Sequence, residues 1–262
     1  MNRYIKTLRI FWSTALAVQL EYQINFAIEL IAMVGTLVGS LFILSLFFSQ
    51  GNTLGSWSWE EALVVQGIYT LLDGFTNTWL RPNLSEIVNY VREGTLDFVL
   101  LKPIDSQFWL SFRTISPAGI PEIVLGFSLV IWAAAKAGTV FGLHTFVLGV
   151  LMLIAGIMIL YSLWFLIAAT SIWFVKTWNA TEVLRAVLSA GRFPTNAYPT
   201  TLRVIFTLVL PITFLTTVPA EIILNQIEIT KIILGICFAL FFYTSSRIIW
   251  KYALRHYTSA SS

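Results

Sequence analysis

The longest apolar stretch of this sequence, residues 145–174, runs for thirty residues without a charged side chain. A helix needs about 20 apolar residues to cross the hydrocarbon core of a bilayer. The whole chain is 57% hydrophobic and only 11% charged, whereas about a quarter of the residues of a soluble domain are charged. Long continuous runs argue against a β-barrel, whose strands alternate over about ten residues. The sequence therefore predicts an all-α polytopic membrane protein with one transmembrane domain over residues 1–262.

Six apolar segments are long enough to serve as transmembrane helices, with polar residues between them. Proline interrupts two of these segments. Pro117 and Pro121 predict a kinked or discontinuous third helix, and Pro211 and Pro219 predict a fifth helix that breaks near the outer leaflet and turns back. The predicted spans are residues 25–48, 61–79, 109–135, 145–174, 202–224 and 230–250.

The first element, residues 2–22, has apolar residues at helical spacing and basic residues largely on other faces. This pattern is typical of an amphipathic helix that lies in the headgroup plane of the membrane. The alternative is that these residues form the N-terminal end of a long first span.

Residues 81–105, which we call the elbow, form the longest polar interruption in the first half of the chain. The pattern predicts two short helices that are separated at Gly94, followed by a stop at Pro103. Such a segment cannot lie in lipid, so it must touch a soluble partner or the membrane surface. A second polar segment, residues 176–203, is predicted to contain a short helix that ends before Pro194.

The distribution of Lys and Arg predicts the orientation. Of the sixteen Lys and Arg residues, all but Lys136 and Lys231 fall on one side of the predicted spans. The positive-inside rule then places both termini, the elbow and the 176–203 segment in the cytoplasm.

Enzymatic motifs are missing from the sequence. No P-loop signature occurs, so the chain is not expected to bind ATP itself. No metal-ligand spacing and no nucleophile–base–acid set is found, so we predict no cofactor, no metal ligand and no catalytic residue. The basic residues form no continuous patch, which argues against nucleic-acid binding.

Carboxylates inside predicted spans are candidates for functional sites, because a charge in the hydrocarbon core costs several kcal/mol. Three of them lie near span ends, where they could instead reach water or cap a helix. Asp73 lies nearer the middle of its span. These carboxylates have no matching cations within the predicted spans, which leaves proton coupling open. The candidates are Glu29, Asp73, Glu122 and Glu221.

Three motifs carry a resemblance to a known family: VREGTLDFVLLKPID (Val91 to Asp105), GRFPTNAYPTTLR (Gly191 to Arg203) and the tail WKYALRHYTSASS. In this order they resemble the membrane subunit of an ABC-type exporter of the type-2 permease class. The likeness is closest to its bacterial branch, whose members have six spans.

The resemblance implies several properties. Two permeases, identical or sister chains, would pair in the plasma (inner) membrane and dock on a separate ATPase subunit that binds ATP and Mg. The elbow would be the coupling helix, the N-terminal helix would also meet the ATPase, and Pro211 and Pro219 would lie in re-entrant half-helices. Substrate would pass between the two permeases, so no pocket is expected within one chain. The residues implied for ATPase coupling are Glu86, Val91, Arg92, Glu93, Gly94, Asp97 and Leu101.

Two other functions remain open: an ion- or proton-coupled secondary carrier and a non-transporting membrane scaffold. A secondary carrier is expected to have inverted repeats with broken helices in matching positions. Here the proline breaks fall in the third and fifth spans, which do not match. The transported substrate cannot be read from the sequence.

Overall fold

The computed structural model describes residues 9, 11–14, 23–49, 54–140, 142–174 and 178–257. Within these residues every regular element is helical, and the only strand-like pairing is one isolated bridge between Leu54 and Trp57. The prediction of an all-α chain is confirmed. The predicted amphipathic helix at residues 2–22 lies outside the described residues, except for Arg9 and residues 11–14, which are helical.

The α-helices of the described residues are numbered here in chain order. Short π-helical turns extend α2 through Thr76–Leu80 and α10 through Ile205–Val209, and short 3₁₀ turns join other helices. The bounds are α1 Gln23–Ser49, α2 Trp59–Phe75, α3 Arg81–Leu84, α4 Glu86–Arg92, α5 Leu96–Leu100, α6 Ser106–Phe112, α7 Ile120–Lys136, α8 Leu143–Ala169, α9 Trp178–Leu188, α10 Thr200–Val204, α11 Thr217–Ile223 and α12 Ile229–His256.

Four helical stretches among the described residues are long and apolar enough to cross a membrane, and a bent pair raises the number to five. The two members of the bent pair, Thr200–Val209 and Ile212–Ile223, meet at 73°. The chain is therefore a polytopic membrane protein with about four to five apolar candidate spans. The four single stretches are Phe26–Ser49, Pro117–Lys136, Leu143–Ile172 and Ile229–His256.

The predicted third span, residues 109–135, is discontinuous. Helix α6 ends at Phe112, and α7 begins after a 3₁₀ turn, Pro117–Gly119. Pro117 and Pro121 thus lie in first-turn positions, where a missing N–H removes no intrahelical hydrogen bond. Asn83 holds the break: its Nδ2 donates to the Thr114 carbonyl at 2.7 Å, and its Oδ1 accepts from the Thr114 N–H at 2.8 Å.

In the fifth predicted span only one of the two prolines marks a break. Pro211 lies at the 73° bend, between the two helices of the bent pair. Pro219 lies in the first turn of α11, which it does not interrupt. The expectation of a helix that breaks and turns back therefore agrees with the backbone at Pro211.

Helices α2 and α7 pack with their backbones in direct contact. A Cβ added at Gly126 of α7 would lie 2.4 Å from the Leu71 nitrogen, and one added at Gly74 of α2 would lie 2.6 Å from the Ile123 nitrogen. Small residues allow helices in a membrane to approach this closely. The Gly35-x-x-x-Gly39 pair of α1 is not used in this way, because a Cβ at either position meets nothing within 4 Å.

The molecule has two ends, which we call the elbow end and the far end. At the far end the turn after α11 meets the beginning of α8, because Thr145 Oγ1 donates to Asn225 Oδ1 at 2.7 Å. The same turn meets the beginning of α2, where Gln226 Nε2 donates to Glu61 Oε1 at 3.1 Å. Helix α2 runs from the far end toward the elbow, which begins with α3.

The placement of residues 176–203 differs from the expectation of a segment wholly on the elbow side. Helix α9 starts near the elbow end, where Glu182 lies 3.9 Å from Arg81. The chain then continues to the far end, where a Cβ added at Gly55 would lie 3.4 Å from the Asn196 carbonyl oxygen. Arg203 donates to the same carbonyl at 2.7 Å.

Gly126→Ala should destabilise the folded protein. The new methyl group would collide with backbone atoms that cannot rotate away, and overpacking of this kind costs about 1–3 kcal/mol. Thermal unfolding in detergent should show a melting temperature several degrees below that of the wild type. Gly35→Ala is the matched control: its methyl group meets open space, and alanine favours a helix over glycine by up to about 1 kcal/mol. Equal losses in both variants would contradict the close packing of α2 and α7.

Candidate functional site

A polar cavity of about 610 Å³ lies between α1, α2, α3, α7 and α9 and extends to the start of the elbow. Three of the four carboxylates singled out in the sequence line it, and the expectation that one chain would hold no pocket is wrong. Helix α1 touches α2 at few points, which leaves room between it and the packed α2–α7 pair. The lining residues are Glu29, Ala32, Met33, Thr36, Asp73, Asn77, Arg81, Pro82, Ser85, Glu86, Ser116, Ala118, Gly119, Glu122 and Arg185.

Asp73 and Glu122 form a pair of carboxyl groups deep in this cavity, which we call the acid pair. Their side chains lie close enough to interact, and Asn77 Nδ2 donates to Glu122 Oε2 at 2.8 Å. Glu122 is only 9% exposed. The acid pair therefore brings two carboxyl groups together at one place in the cavity.

Three arginines lie around the acid pair, and their segments were expected to lie in the cytoplasm. Arg185 of α9, Arg192 just beyond α9, and Arg81 of α3 all attract the Asp73 carboxylate. Arg192 also lies over the Tyr69 ring, 5.0 Å from its centroid. The carboxylates of the acid pair therefore have cations nearby, which the sequence did not indicate. The arginines were missed because their segment was expected to lie in the cytoplasm.

Glu221, the fourth carboxylate, lies at the far end, away from the cavity. It is 6% exposed, and both of its oxygens accept hydrogen bonds from Lys231 Nζ at 2.9 and 3.0 Å. Lys231 also pairs with Glu228 at 3.0 Å. These contacts fasten α11 to the first turn of α12 and indicate a structural role. Within the residues that the structure describes, no three His, Cys, Asp or Glu side chains gather closely enough to hold a metal ion.

Within the elbow, α4 and α5 lie on either side of Gly94, which has a φ of +70°. A left-handed backbone of this kind suits glycine, which has no Cβ. Each short helix buries part of its surface, with Ile87 and Leu96 fully inaccessible. The outer surface of α5 and the residue after it is apolar: Phe98 is 67% exposed and Leu101 is 80% exposed. We call Phe98, Leu100 and Leu101 the apolar tip.

The structure places the residues implied for ATPase coupling in different surroundings. Glu86 lines the polar cavity, and Val91 is half-buried against the core. Arg92 and Glu93 are exposed and lie 3.7 Å from each other. Asp97 is half-buried and interacts with Tyr257. Phe98 was not singled out in the sequence. Its neighbours Leu96 and Val99 are buried, whereas Phe98 itself is exposed.

A polar joint fastens the end of the elbow to α8 and α12. Asp105 caps α6 by accepting from the Phe108 N–H at 2.8 Å. It also receives two hydrogen bonds from Arg247 of α12, at 2.9 and 3.0 Å. Gln107 accepts from Arg247 at 3.1 Å and donates to Tyr161 of α8 at 3.0 Å. No sequence pattern indicates this joint, because its partners are 54 to 142 positions apart.

Asp105→Asn should remove a pH-dependent part of the stability. The hydrogen bonds from Arg247 hold the pKa of the Asp105 carboxyl below its usual value. The stabilisation is therefore present above the unfolded pKa of about 4 and is lost as the pH falls through the folded pKa. Asparagine still caps a helix, so the difference in melting temperature between wild type and variant should shrink between pH 7 and pH 3. A difference that stays constant over this range would contradict the joint.

Lys231→Met should destabilise the far end, because it leaves the buried Glu221 without a cation. Removal of one partner from a fully buried pair costs about 3–5 kcal/mol. We expect about 1–3 kcal/mol, because the Lys231 side chain is 35% exposed and exposed pairs contribute less. The double variant Glu221→Gln, Lys231→Met should recover much of this loss in a detergent unfolding assay. A double variant that is less stable than Lys231→Met alone would count against the pairing.

Comparison with known proteins now gives the chain a family. A family model described as "ABC-2 family transporter protein" matches residues 34–261. The match includes the elbow, the acid pair and the polar joint. Searches of curated proteins and of solved structures give no match. ABC-2 proteins are membrane subunits of ABC transporters, and this agrees with the multi-pass fold and with the resemblance of the three sequence motifs. The chain belongs to the ABC-2 family of transporter proteins.

Proposed function

We propose that this chain is the transmembrane permease subunit of an ATP-binding cassette exporter. Two permeases, identical or sister chains, form the translocation path, and a separate ATPase subunit that binds ATP and Mg drives it. The observation that carries this proposal is the elbow. It presents an apolar tip beside the exposed Arg92 and Glu93, at the end of the molecule to which the polar cavity extends.

The elbow has two connections through which an ATPase can move the membrane helices. On one side it continues from α3 and the π-helical turn into α2, which carries Asp73. On the other side the Asp105–Arg247 contacts tie it to α12. Closure of the ATPase subunits would push on the elbow and tilt these helices as rigid bodies. The result is a switch between two states that differ in their contacts.

We infer six crossings, with both termini and the elbow in the cytoplasm of a bacterium whose plasma membrane holds the protein. The fifth crossing is made by α9 and the turn after it, rather than by residues 202–224. This inference is supported by Glu182 in the first half of α9, which lies near Arg81, and by Asn196 beyond α9, which lies near Gly55. The bent pair that follows then enters and leaves at the far end as a re-entrant hairpin around Pro211. Helix α9 lacks an apolar signature because it faces the acid pair.

A proton-coupled secondary carrier is the second candidate function. The acid pair favours it, because neighbouring carboxyl groups inside a membrane are suited to proton relays. A carrier would need neither the apolar tip nor an ATPase. The family match favours the exporter.

Leu101→Asp should uncouple the permease from its ATPase. Leu101 is 80% exposed and touches little of its own chain, so the change should leave the fold intact. Loss of a central apolar anchor costs about 2 kcal/mol or more of binding free energy, which is a thirtyfold or greater loss of affinity. The assay is co-purification of an ATPase with P-loop motifs, identified by mass spectrometry, together with ATP hydrolysis in proteoliposomes.

Val140→Asp is the matched control, because Val140 is 79% exposed at the far end. It should co-purify with the ATPase as the wild type does. If Leu101→Asp and Val140→Asp behave alike, the elbow is not the docking site. If no ATPase is required and transport follows a proton gradient, the carrier is favoured instead.

A further inference from the structure

We propose that the polar cavity is a binding site for a small hydrophilic zwitterion, whose cationic group lies at the acid pair and whose anionic group lies at Arg185. This inference rests on the proposed transport function and deepens it by naming a substrate class. It differs from the expectation that substrate meets the protein only between two permeases.

The size and lining of the cavity favour a polar solute over a lipid. Its volume of about 610 Å³ lies within the range of about 300–1,000 Å³ that is usual for small-molecule sites. Ten of its fifteen lining residues are charged, amide or hydroxyl side chains, and Met33 is the only long apolar one. An acyl chain would therefore leave these polar groups without partners, which is costly in a low-dielectric site.

The charges of the lining include both signs. Among the described residues, Glu29 and Arg185 form no salt bridge, although Arg185 attracts Asp73 from a greater distance. Glu29, Glu86, Asp73 and Glu122 are acidic, and Arg81 and Arg185 are basic. A solute with one group of each sign can pair with both sets, whereas a simple cation would bring no anionic group to the arginines.

The position of the charged groups gives the site a mouth and a floor. Asp73 lies eleven residues before the end of α3, which is roughly 16 Å along a helix at 1.5 Å per residue. Ser85 and Glu86 line the cavity close to the elbow end, and we take them as its mouth. A solute would therefore enter from the elbow end, which is the side where the ATPase is proposed to bind.

Direct binding to the purified full-length chain in detergent tests this proposal without the ATPase. The probes are three zwitterions of increasing size that each carry one cationic and one anionic group, namely glycine, γ-aminobutyrate and glycerophosphoethanolamine. Spermidine, citrate and raffinose represent cationic, anionic and neutral solutes. We expect at least one zwitterion to bind in a calorimetric titration and to raise the melting temperature, while the other three solutes do neither.

Two variants assign the ends of the bound zwitterion. Glu122→Gln and Arg185→Gln should each weaken its binding tenfold or more, and Arg185→Lys should restore part of the loss because it keeps the charge. Glu60→Gln, at the far-end start of α2, and Arg255→Gln, at the end of α12, are the matched controls and should bind as the wild type does.

Three results would overturn the proposal. The first is that no zwitterion binds. The second is that spermidine binds as well as the zwitterions and Arg185→Gln has no effect. The third is that raffinose displaces a bound zwitterion. If binding fails while Leu101→Asp still uncouples ATP hydrolysis, the substrate class is wrong and the exporter function stands. If the zwitterion binds but Leu101→Asp has no effect, the site stands and the docking of an ATPase at the elbow fails.

Discussion

The backbone contact between α2 and α7 is the interaction on which the rest of the structure depends. At Gly74 and Gly126 the two helices approach until a single methyl group would collide with a neighbouring peptide nitrogen. This approach is what allows the short Asp73 side chain of one helix to reach Glu122 of the other. With larger residues at the crossing, the two carboxyl groups would be held apart, and each would need its own partner inside the membrane.

Several charged groups of the predicted spans have partners within the protein. Asp73 and Glu122 interact with each other, Asn77 donates to Glu122, and arginines of α3, α9 and the turn after α9 attract Asp73. Glu221 is paired separately with Lys231. An ionised group without such partners would cost several kcal/mol in the hydrocarbon core. The polar character of α9 follows from this need, since it supplies the cations and lines the cavity.

Much of the fold could be predicted from the sequence, because its signals are local. Apolar runs indicate helices of membrane length, Gly94 marks the elbow, and Pro117 marks the start of α7. The site could be predicted only in part. Glu29, Asp73 and Glu122 were singled out as buried carboxylates, but their convergence depends on helix packing, and the one small-residue motif singled out, Gly35-x-x-x-Gly39, makes no close contact. Positive charge was taken to mean cytoplasm, so the position of Arg192 over the Tyr69 ring could not be foreseen. Asp105 and Arg247 lie 142 positions apart, so no local pattern could join them.

Thiol labelling from the two sides of the membrane tests the central claim most directly. The account places the cavity mouth at Ser85 on the cytoplasmic side and Asn196 on the outside, with α9 crossing between them. In a Cys237→Ser background, an impermeant maleimide should label Ser85→Cys only in inverted vesicles and Asn196→Cys only in right-side-out vesicles. Labelling of both positions from the same side would contradict the account.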